Sequence, residues 1–375
     1  MHVIVVGAGI IGSAVAASLA EHGARVTLLD AAAMPGTGTS SGTFGWVNAN
    51  DRRPDSYHEL SNAAVREHHG LATGGADWFQ GHGHLECAVD AEHRQRLLDT
   101  VLRLRDLGYP AEPLSYQQAR ALEPDVDFPE DGDFALFPEE GHCYPELLIA
   151  HLLGRARVHG ARFRGNSAVL AIMDGAVQLD TGEVLTADHV VSCVGRHTAT
   201  LLPEVPMIPP ARGNAAVGFL ARTPPVPVRL SRVLTMDTLR LRPAGGGRLW
   251  LQALDLDIGA DPAVPPDDGI RHTFSARAAE TLSSGYRLGL DALLVGQRAL
   301  PVDGLPVVGP LPERPRVYVI TTHSGVTLAP LLGRLAAEEL YSGARAELLT
   351  PFRPERFANG AAVAQVQPAA RPTDP

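Results

Sequence analysis

Three glycines at fixed spacing carry the first chemistry legible in this 375-residue chain: Gly7-Ala8-Gly9-Ile10-Ile11-Gly12, followed by Asp30 18 residues after Gly12. Gly7 permits a tight turn, Gly9 lets a pyrophosphate approach the backbone, and Gly12 allows a helix to pack closely on a strand. The unpaired N–H groups at the start of that helix, Ile11 among them, then form an anion site. A carboxylate at position 30 suits ribose hydroxyls and disfavours a 2′-phosphate. The pattern therefore reads as a site for FAD or NAD rather than NADP.

The elements that must hold this turn follow from hydrophobic patterning. Residues 3–6 form an apolar run, 13–22 are helical with a stop at Gly23, and 25–29 are apolar again. This is a βαβ unit with a parallel sheet. A small-residue loop, GTGTSSGTFGWVNAN, spans 36–50, a helix is predicted to contain 59–69, and further helices are predicted over 91–107, 116–122 and 145–159. Between 167 and 195, short β-runs alternate around Asp174-Gly175 and Thr181-Gly182 and lead into a buried strand at 189–194. From 203 to 266 the composition shifts to Pro, Arg and β-like runs, with Gly245-Gly246-Gly247 as a hairpin turn, which predicts a second, antiparallel sheet. A strand at 317–321 and a helix at 327–340 return to the opening style.

The fold class is thus α/β with α+β: a Rossmann-type domain built discontinuously from 1–84, 141–210 and 298–357, and a second domain from 85–140 and 211–297. The Ala-, Pro- and Gln-rich tail at 358–375 lacks periodicity and is expected to be disordered.

Composition excludes whole classes of chemistry. All 32 basic side chains are arginine, so nothing that needs a lysine amine is possible, whether a pyridoxal Schiff base, a Schiff-base aldolase or a P-loop. A net charge of −10 argues against nucleic-acid binding. Cys87, Cys143 and Cys193 fit neither a disulfide framework nor a zinc spacing, and the apolar opening run lacks the flanks of a signal peptide. The reading is a cytoplasmic protein without a transmembrane segment. His68, His69, His82 and His84 cluster in sequence without a carboxylate spacing that completes a site, so no metal is expected, and the acidic run at 127–140 reads as a solvated loop.

Four separated blocks resemble the D-amino-acid oxidase superfamily of flavoenzymes, which includes glycine oxidase, sarcosine oxidase and D-amino-acid dehydrogenase. They are the opening VIVVGAGIIGSAVAASLAEHGARVTLLD; TSSGTFGW at 39–46; VVSCVG at 190–195; and RALPVDGLPVVGP at 298–310 with HSGVTLAP at 323–330. The resemblance implies FAD as cofactor. It places Ser40 and Ser41 at the phosphates and ribityl chain, Gly45 and Trp46 against the isoalloxazine ring, Val169 at the adenine and Gly195 at the end of the third cofactor strand. It also aims the helix at Gly325, Val326, Thr327 and Leu328 at the flavin, where its amides stabilise the reduced ring's negative charge.

By the same resemblance Arg298 pairs with a substrate carboxylate. Trp250 and Gln252 alternate on a predicted strand whose face would roof the flavin, which makes them candidates for the substrate pocket. Arg212-Gly213 matches a segment at the domain crossover with an architectural role. Members with covalent flavin use a cysteine just after the Arg298 motif, where this chain has Ala299-Leu300-Pro301, so the FAD is expected to be noncovalent.

The implied activity is oxidation of a C–N bond of an amino acid or amine to an imine, by hydride transfer to flavin N5 followed by hydrolysis. Oxygen or a quinone or other carrier takes the electrons. Sarcosine-oxidase-like members use a lysine to speed the reaction with oxygen. Here another positive group, such as an arginine or a protonated His323, must substitute or the reaction with oxygen is poor, which favours a glycine-oxidase-like or dehydrogenase-like enzyme over a sarcosine-oxidase-like one. A quinone- or carrier-linked D-amino-acid dehydrogenase, a nicotinamide-dependent dehydrogenase and a non-catalytic flavoprotein subunit of a complex stand as rival readings. Oligomeric state is not encoded in any motif.

Overall fold

The structure, a computed structural model, describes residues 1–283 and 288–357. Its first sheet has six strands in the order Val307–Leu311, Arg314–Thr321, His189–Ser192, His2–Val6, Arg25–Leu29, Arg162–Arg164. All neighbours are parallel except the antiparallel edge strand Val307–Leu311. Alternation along the central strand sends Val3 and Val5 into one core and Ile4 and Val6 into another. The first core is covered by helices Ile10–Glu21, Pro145–Val158 and Gly325–Ser342, the first of which packs against both others. The second is covered by a three-stranded sheet of Val169–Met173, Ala176–Leu179 and Val184–Thr186. Gly175 and Gly182, in the turns between these strands, both adopt positive φ.

The second sheet has eight strands, ordered Ala292–Gln297, Val217–Arg222, Arg248–Gln252, Arg240–Gly245, Val233–Thr235, His84–Ala88, Asp133–Phe137, Glu112–Leu114. It is antiparallel, as expected, apart from one parallel join between Val233–Thr235 and His84–Ala88. The expected boundary at 84/85 cuts the strand His84–Ala88, which pairs wholly within this sheet. Helix Asp268–Thr281, which no sequence signal singled out, starts where the Asp267 side chain accepts from the Ile270 amide at 2.9 Å. It buries Phe274 and Ala278 in the core behind the sheet. The opposite face meets the loop that follows Gly36.

The segment at 127–140 is not a solvated loop. It contains the strand Asp133–Phe137 and ends on Glu140, which is fully buried. The tail at 358–375 lies outside the described residues. Among the described residues no helix is long and apolar enough to cross a membrane.

Candidate functional site

The glycines at the N-terminal turn are required by contact. Gly7 has φ +98°, and a Cβ there would lie 2.5 Å from the Cys193 carbonyl oxygen, while a Cβ on Gly12 would lie 1.8 Å from the Gly7 oxygen. Gly9 is the N-cap of helix Ile10–Glu21 and offers no side-chain cap. The Ile10 amide donates to Ser40 Oγ at 3.1 Å, and the amides of Ile11 and Gly12 have no acceptor among the described residues. A hydroxyl thus stands against a helix N-terminus that still has amides to give, which is the donor set a phosphate needs. Asp30 holds the turn from behind: its two oxygens accept from the Ala8 and Ala32 amides at 2.7 and 2.8 Å. The Ser167 amide donates to the Asp30 carbonyl at 2.8 Å, which brings the Val169 strand beside Asp30. Gly195, at φ +57°, follows the strand His189–Ser192. Ser41 differs from Ser40, because its exposed hydroxyl turns back to the Gly38 and Thr37 carbonyls.

A second helix N-terminus approaches the same region. Helix Gly325–Ser342 begins without a side-chain cap, and the amides of Gly325, Val326 and Thr327 have no acceptor among the described residues. Leu328 departs from the expected set, since its amide already donates to the Ser324 carbonyl at 2.9 Å within the helix. Thr327 Oγ1 donates to the Trp46 carbonyl at 3.2 Å, fixing the loop against the helix. His68 braces the helix start through Nε2, 3.0 and 3.1 Å from the Val326 and Thr327 carbonyls, and burial pushes its imidazolium down to about 4. Among the described residues no three His, Cys, Asp or Glu side chains converge on a metal position.

Gly45, at φ +72°, leaves no room for a side chain: a Cβ would lie 2.6 Å from the Cys143 oxygen and 2.9 Å from Arg242 Nη2. Arg242 is fully buried and donates to the Phe44 and Pro243 carbonyls, with the Phe44 and Tyr144 rings against its guanidinium. Burial lowers it to about 10, so it stays charged and clamps the second sheet onto the loop. Trp46 lies between Arg240, 5.3 Å from its ring centre, and His84, edge-on at 4.6 Å. Its indole N–H donates to Glu140 at 3.2 Å. The other oxygen of Glu140 accepts from the Ala49 and Asn50 amides and the Tyr109 hydroxyl, so one buried carboxylate shapes residues 46–50.

Five charged or titratable groups then lie near one another: Asp51 is within electrostatic reach of Arg52, Arg240 and His323, Arg240 of Arg52 and Arg298, and His323 of Arg298 and Arg52. His323 is exposed to solvent, yet desolvation by the surrounding protein, with Arg298 and Arg52 nearby, pushes its imidazolium down to about 3. It is therefore neutral at physiological pH, and the expectation of a protonated His323 is corrected. Burial raises the Asp51 carboxyl, but Arg52, Arg240 and Asn48 outweigh it and hold Asp51 ionised below its ordinary range.

Arg298 is in the cleft wall but is heavily engaged. It donates to Asp257 at 2.8 Å and to the Ala215 and Val217 carbonyls at 2.9 and 2.7 Å. The geometry gives it a structural partner, where the sequence resemblance implied a substrate carboxylate. Trp250 and Gln252 share a sheet face but line different cavities. Trp250 borders one of about 330 Å³ together with Ser40, Ser41, Arg222 and Arg242. Gln252 borders one of about 150 Å³ together with Arg240 and Glu86.

Sequence reasoning missed Asp51, Arg52, Glu140, Arg240 and Arg242. A signal existed for four of them. Asp51 and Arg52 closely follow the TSSGTFGW block, and Arg240 and Arg242 pair in register with Gln252 and Trp250 across the Gly245–Gly247 turn.

Comparison with known proteins agrees with this geometry. The family described as DAO, FAD dependent oxidoreductase, matches residues 2–339. A tRNA 5-methylaminomethyl-2-thiouridine biosynthesis bifunctional protein of Paracidovorax citrulli is 29% identical over 90% of this chain, which spans 57% of that relative's length. Glycine oxidase of Bacillus subtilis is 26% identical, with 89% of this chain and 91% of the relative covered. Among solved structures, glycine oxidase from Geobacillus kaustophilus superposes with a TM-score of 0.80 at 24% identity, covering 94% of this chain and 97% of that one. L-proline dehydrogenase from P. horikoshii superposes with a TM-score of 0.82 at 18% identity, covering 96% and 98%. These superpositions establish a shared fold.

Proposed function

We propose that this chain, which belongs to the DAO family of FAD-dependent oxidoreductases, oxidises the C–N bond of an amino acid or secondary amine to an imine, which water then hydrolyses. The observation that carries the reading is the pair of uncapped helix N-termini, at Ile10 and Gly325, beside an arginine-lined cleft. Bound FAD supplies an acceptor for the hydrogen and electron pair that leave the substrate carbon. The Gly7–Gly12 turn, Ser40 and Asp30 would hold its phosphates and ribose, with Val169 and Gly195 nearby. The loop at Gly45 and Trp46 and the amides of Gly325 to Thr327 would hold the ring end, where positive helix-end dipoles favour negative charge. The cofactor is held without a covalent bond: no cysteine follows Cys193, and all three cysteines are buried.

Asp51 offers an anion to the substrate nitrogen at the cleft, and the guanidiniums offer cations to any carboxylate it carries. The chain's lack of lysine and the neutrality of His323 favour a glycine-oxidase-like or carrier-linked enzyme over one tuned for fast reaction with oxygen. The test is anaerobic bleaching of the flavin by glycine, N-methyl amino acids, D-amino acids and amino sugars, followed by reoxidation with oxygen. At least one C–N compound should bleach it. Bleaching by a hydroxy acid and by none of the amines overturns the assignment.

A further inference from the structure

The chain holds no lysine, so a side-chain cation set against the cofactor's phosphates has to be an arginine or a protonated histidine. The Gly7–Gly12 turn needs one. A carboxylate already stands there, since Asp30 accepts from the Ala8 and Ala32 amides at 2.7 and 2.8 Å, and a bound pyrophosphate adds further negative charge. The start of helix Ile10–Glu21 answers with roughly half a positive charge, which falls short of balancing both.

Two walls flank the turn. One is the end of the strand His189–Ser192, where the Cys193 carbonyl oxygen lies 2.5 Å from the position a Cβ on Gly7 would take. The other is the loop at 38–40, where Ser40 Oγ accepts from the Ile10 amide at 3.1 Å and lies 3.3 Å from the position a Cβ on Gly9 would take. Arg196 joins them. Its backbone belongs to the short 3-10 turn Gly195–His197 that follows the strand, and its side chain reaches the loop. There Nη1 donates to Thr39 Oγ1 at 3.4 Å and lies 3.9 Å from the position a Cβ on Gly38 would take. A side chain running from one wall to the other brings its guanidinium to the helix start at which the Ile11 and Gly12 amides have no acceptor among the described residues.

Arg196 is half-buried, and among the described residues it has no carboxylate partner and no acceptor beyond that one long bond. Arg155 and Arg164, by contrast, are held in bidentate pairs with Glu21 and Glu183. The neighbouring His197 adds no charge at neutral pH, because burial first and then Arg196 hold its imidazolium below its ordinary value. A guanidinium carries its N–H donors in a planar fork that fits phosphate oxygens two at a time, and most of that fork is uncommitted here. We infer that Arg196 binds the pyrophosphate of FAD, bridging the strand end and the 38–40 loop across it. The inference rests on FAD as the cofactor and not on the C–N chemistry, so it is tested without a substrate.

The experiment follows FAD release from the loaded protein on dilution, by recovery of free-flavin fluorescence, together with the phosphorus-31 spectrum of the bound cofactor. The wild type is compared with Arg196→Gln and Arg196→Lys. Losing a hydrogen bond between two charged groups should weaken FAD retention roughly 10- to 100-fold in Arg196→Gln. Arg196→Lys keeps a cation and should recover part of that loss. Added salt should speed release from the wild type more than from Arg196→Gln, because it screens the contact that the variant lacks. A pyrophosphate resonance should also move in Arg196→Gln while the flavin absorbance spectrum stays as in the wild type, a pattern that an arginine with a merely structural role would not produce. Wild-type release of FAD by Arg196→Gln, or unmoved phosphorus resonances in it, overturns the inference. Should Arg196→Gln fail to fold or to load, the other two proteins decide: release from the wild type that is indifferent to salt, or Arg196→Lys that loads no FAD while melting as the wild type does without cofactor, overturns it as well.

Discussion

Replacing Glu140 with glutamine tests whether one buried carboxylate organises the cofactor-side loop. Glu140 Oε1 accepts from the Ala49 and Asn50 amides at 3.0 and 2.8 Å and from the Tyr109 hydroxyl at 3.2 Å, and Oε2 accepts from the Trp46 indole N–H at 3.2 Å. All four of these partners are donors, while His84 Nδ1, 3.4 Å from Oε2, also lies beside the carboxylate and can accept. Facing Oε1's three donors is worse than facing the indole, so the introduced amide would turn its NH2 to Trp46 and leave the indole N–H without an acceptor. A buried donor left unmet costs about 1–3 kcal/mol, and each of the three remaining bonds loses roughly 1 kcal/mol when its acceptor becomes neutral. Partial relaxation makes about 4 kcal/mol a fair total. With about 2.1 cal/mol/K of unfolding entropy per residue, that lowers the melting temperature of a chain of this length by roughly 5 °C. Thermal unfolding of the FAD-loaded protein measures it, and FAD retention on dilution should fall as well because residues 45–50 lose their anchor. A melting temperature within about 1 °C of wild type, with unchanged FAD release, refutes the reasoning.

Three further outcomes follow from the same contacts. Burial alone raises the Glu339 carboxyl, but Arg353, Tyr318 and the Ala346 amide outweigh it and hold it below its ordinary value of 4.5. The stability it confers is therefore complete above that value and is lost as pH falls through the lower folded value. Glu339→Gln should be less stable at neutral pH and flatten the acid limb of an unfolding titration; an unchanged acid slope counts against this. With His323 pushed down to about 3, His323→Asn should leave the shape of the pH profile of flavin reduction unaltered near neutrality, and a limb near 6.5 that vanishes in the variant would contradict it. Because a Cβ on Gly12 would sit 1.8 Å from the Gly7 oxygen, Gly12→Ala should yield protein with little or no flavin, read as the ratio of flavin to protein absorbance. A full complement of flavin would show that the turn can adapt.

What was legible in the sequence were the parts in which local chemistry decides the outcome. The turn at Gly7–Gly12 reads correctly because sterics alone demand glycine there, and the strand and helix around it carry continuous apolar patterns. The helix predicted at 116–122 coincides with Tyr116–Leu122, where Ser115 and Gln118 form a reciprocal capping box. Gln252 and Trp250 were visible through alternation, whereas Arg240 and Arg242, one strand over, look like solvent-facing residues until the sheet is docked on the loop. Glu140 was hidden for a different reason. Its partners lie 31 to 94 residues away, so nothing at the end of an acidic run marks it as the buried one. Arg298 shows the limit of a motif: residue type and position resemble the family's, but Asp257, which pairs with its guanidinium, lies outside any recognisable block.

The absence of lysine has a structural counterpart in the cleft. Each fixed positive charge there, on Arg52, Arg240 and Arg298, is a guanidinium. An ammonium crowded by like charges and partly desolvated shifts its pKa readily, whereas a guanidinium remains protonated through the working range. Burial does lower Arg240, but a guanidinium starts so far above neutrality that it remains a cation at neutral pH. The same field keeps His323 neutral, so the one side chain of the cleft that ordinarily titrates near pH 6.5 is removed from that range. Asp51, held ionised by Arg52 and Arg240, does not titrate near neutrality either. The cleft therefore presents a charge pattern that does not change around neutral pH. Its arginines are set to attract a carboxylate whatever the protonation of the substrate's nitrogen, which leaves the amine's own proton as the variable that pH controls.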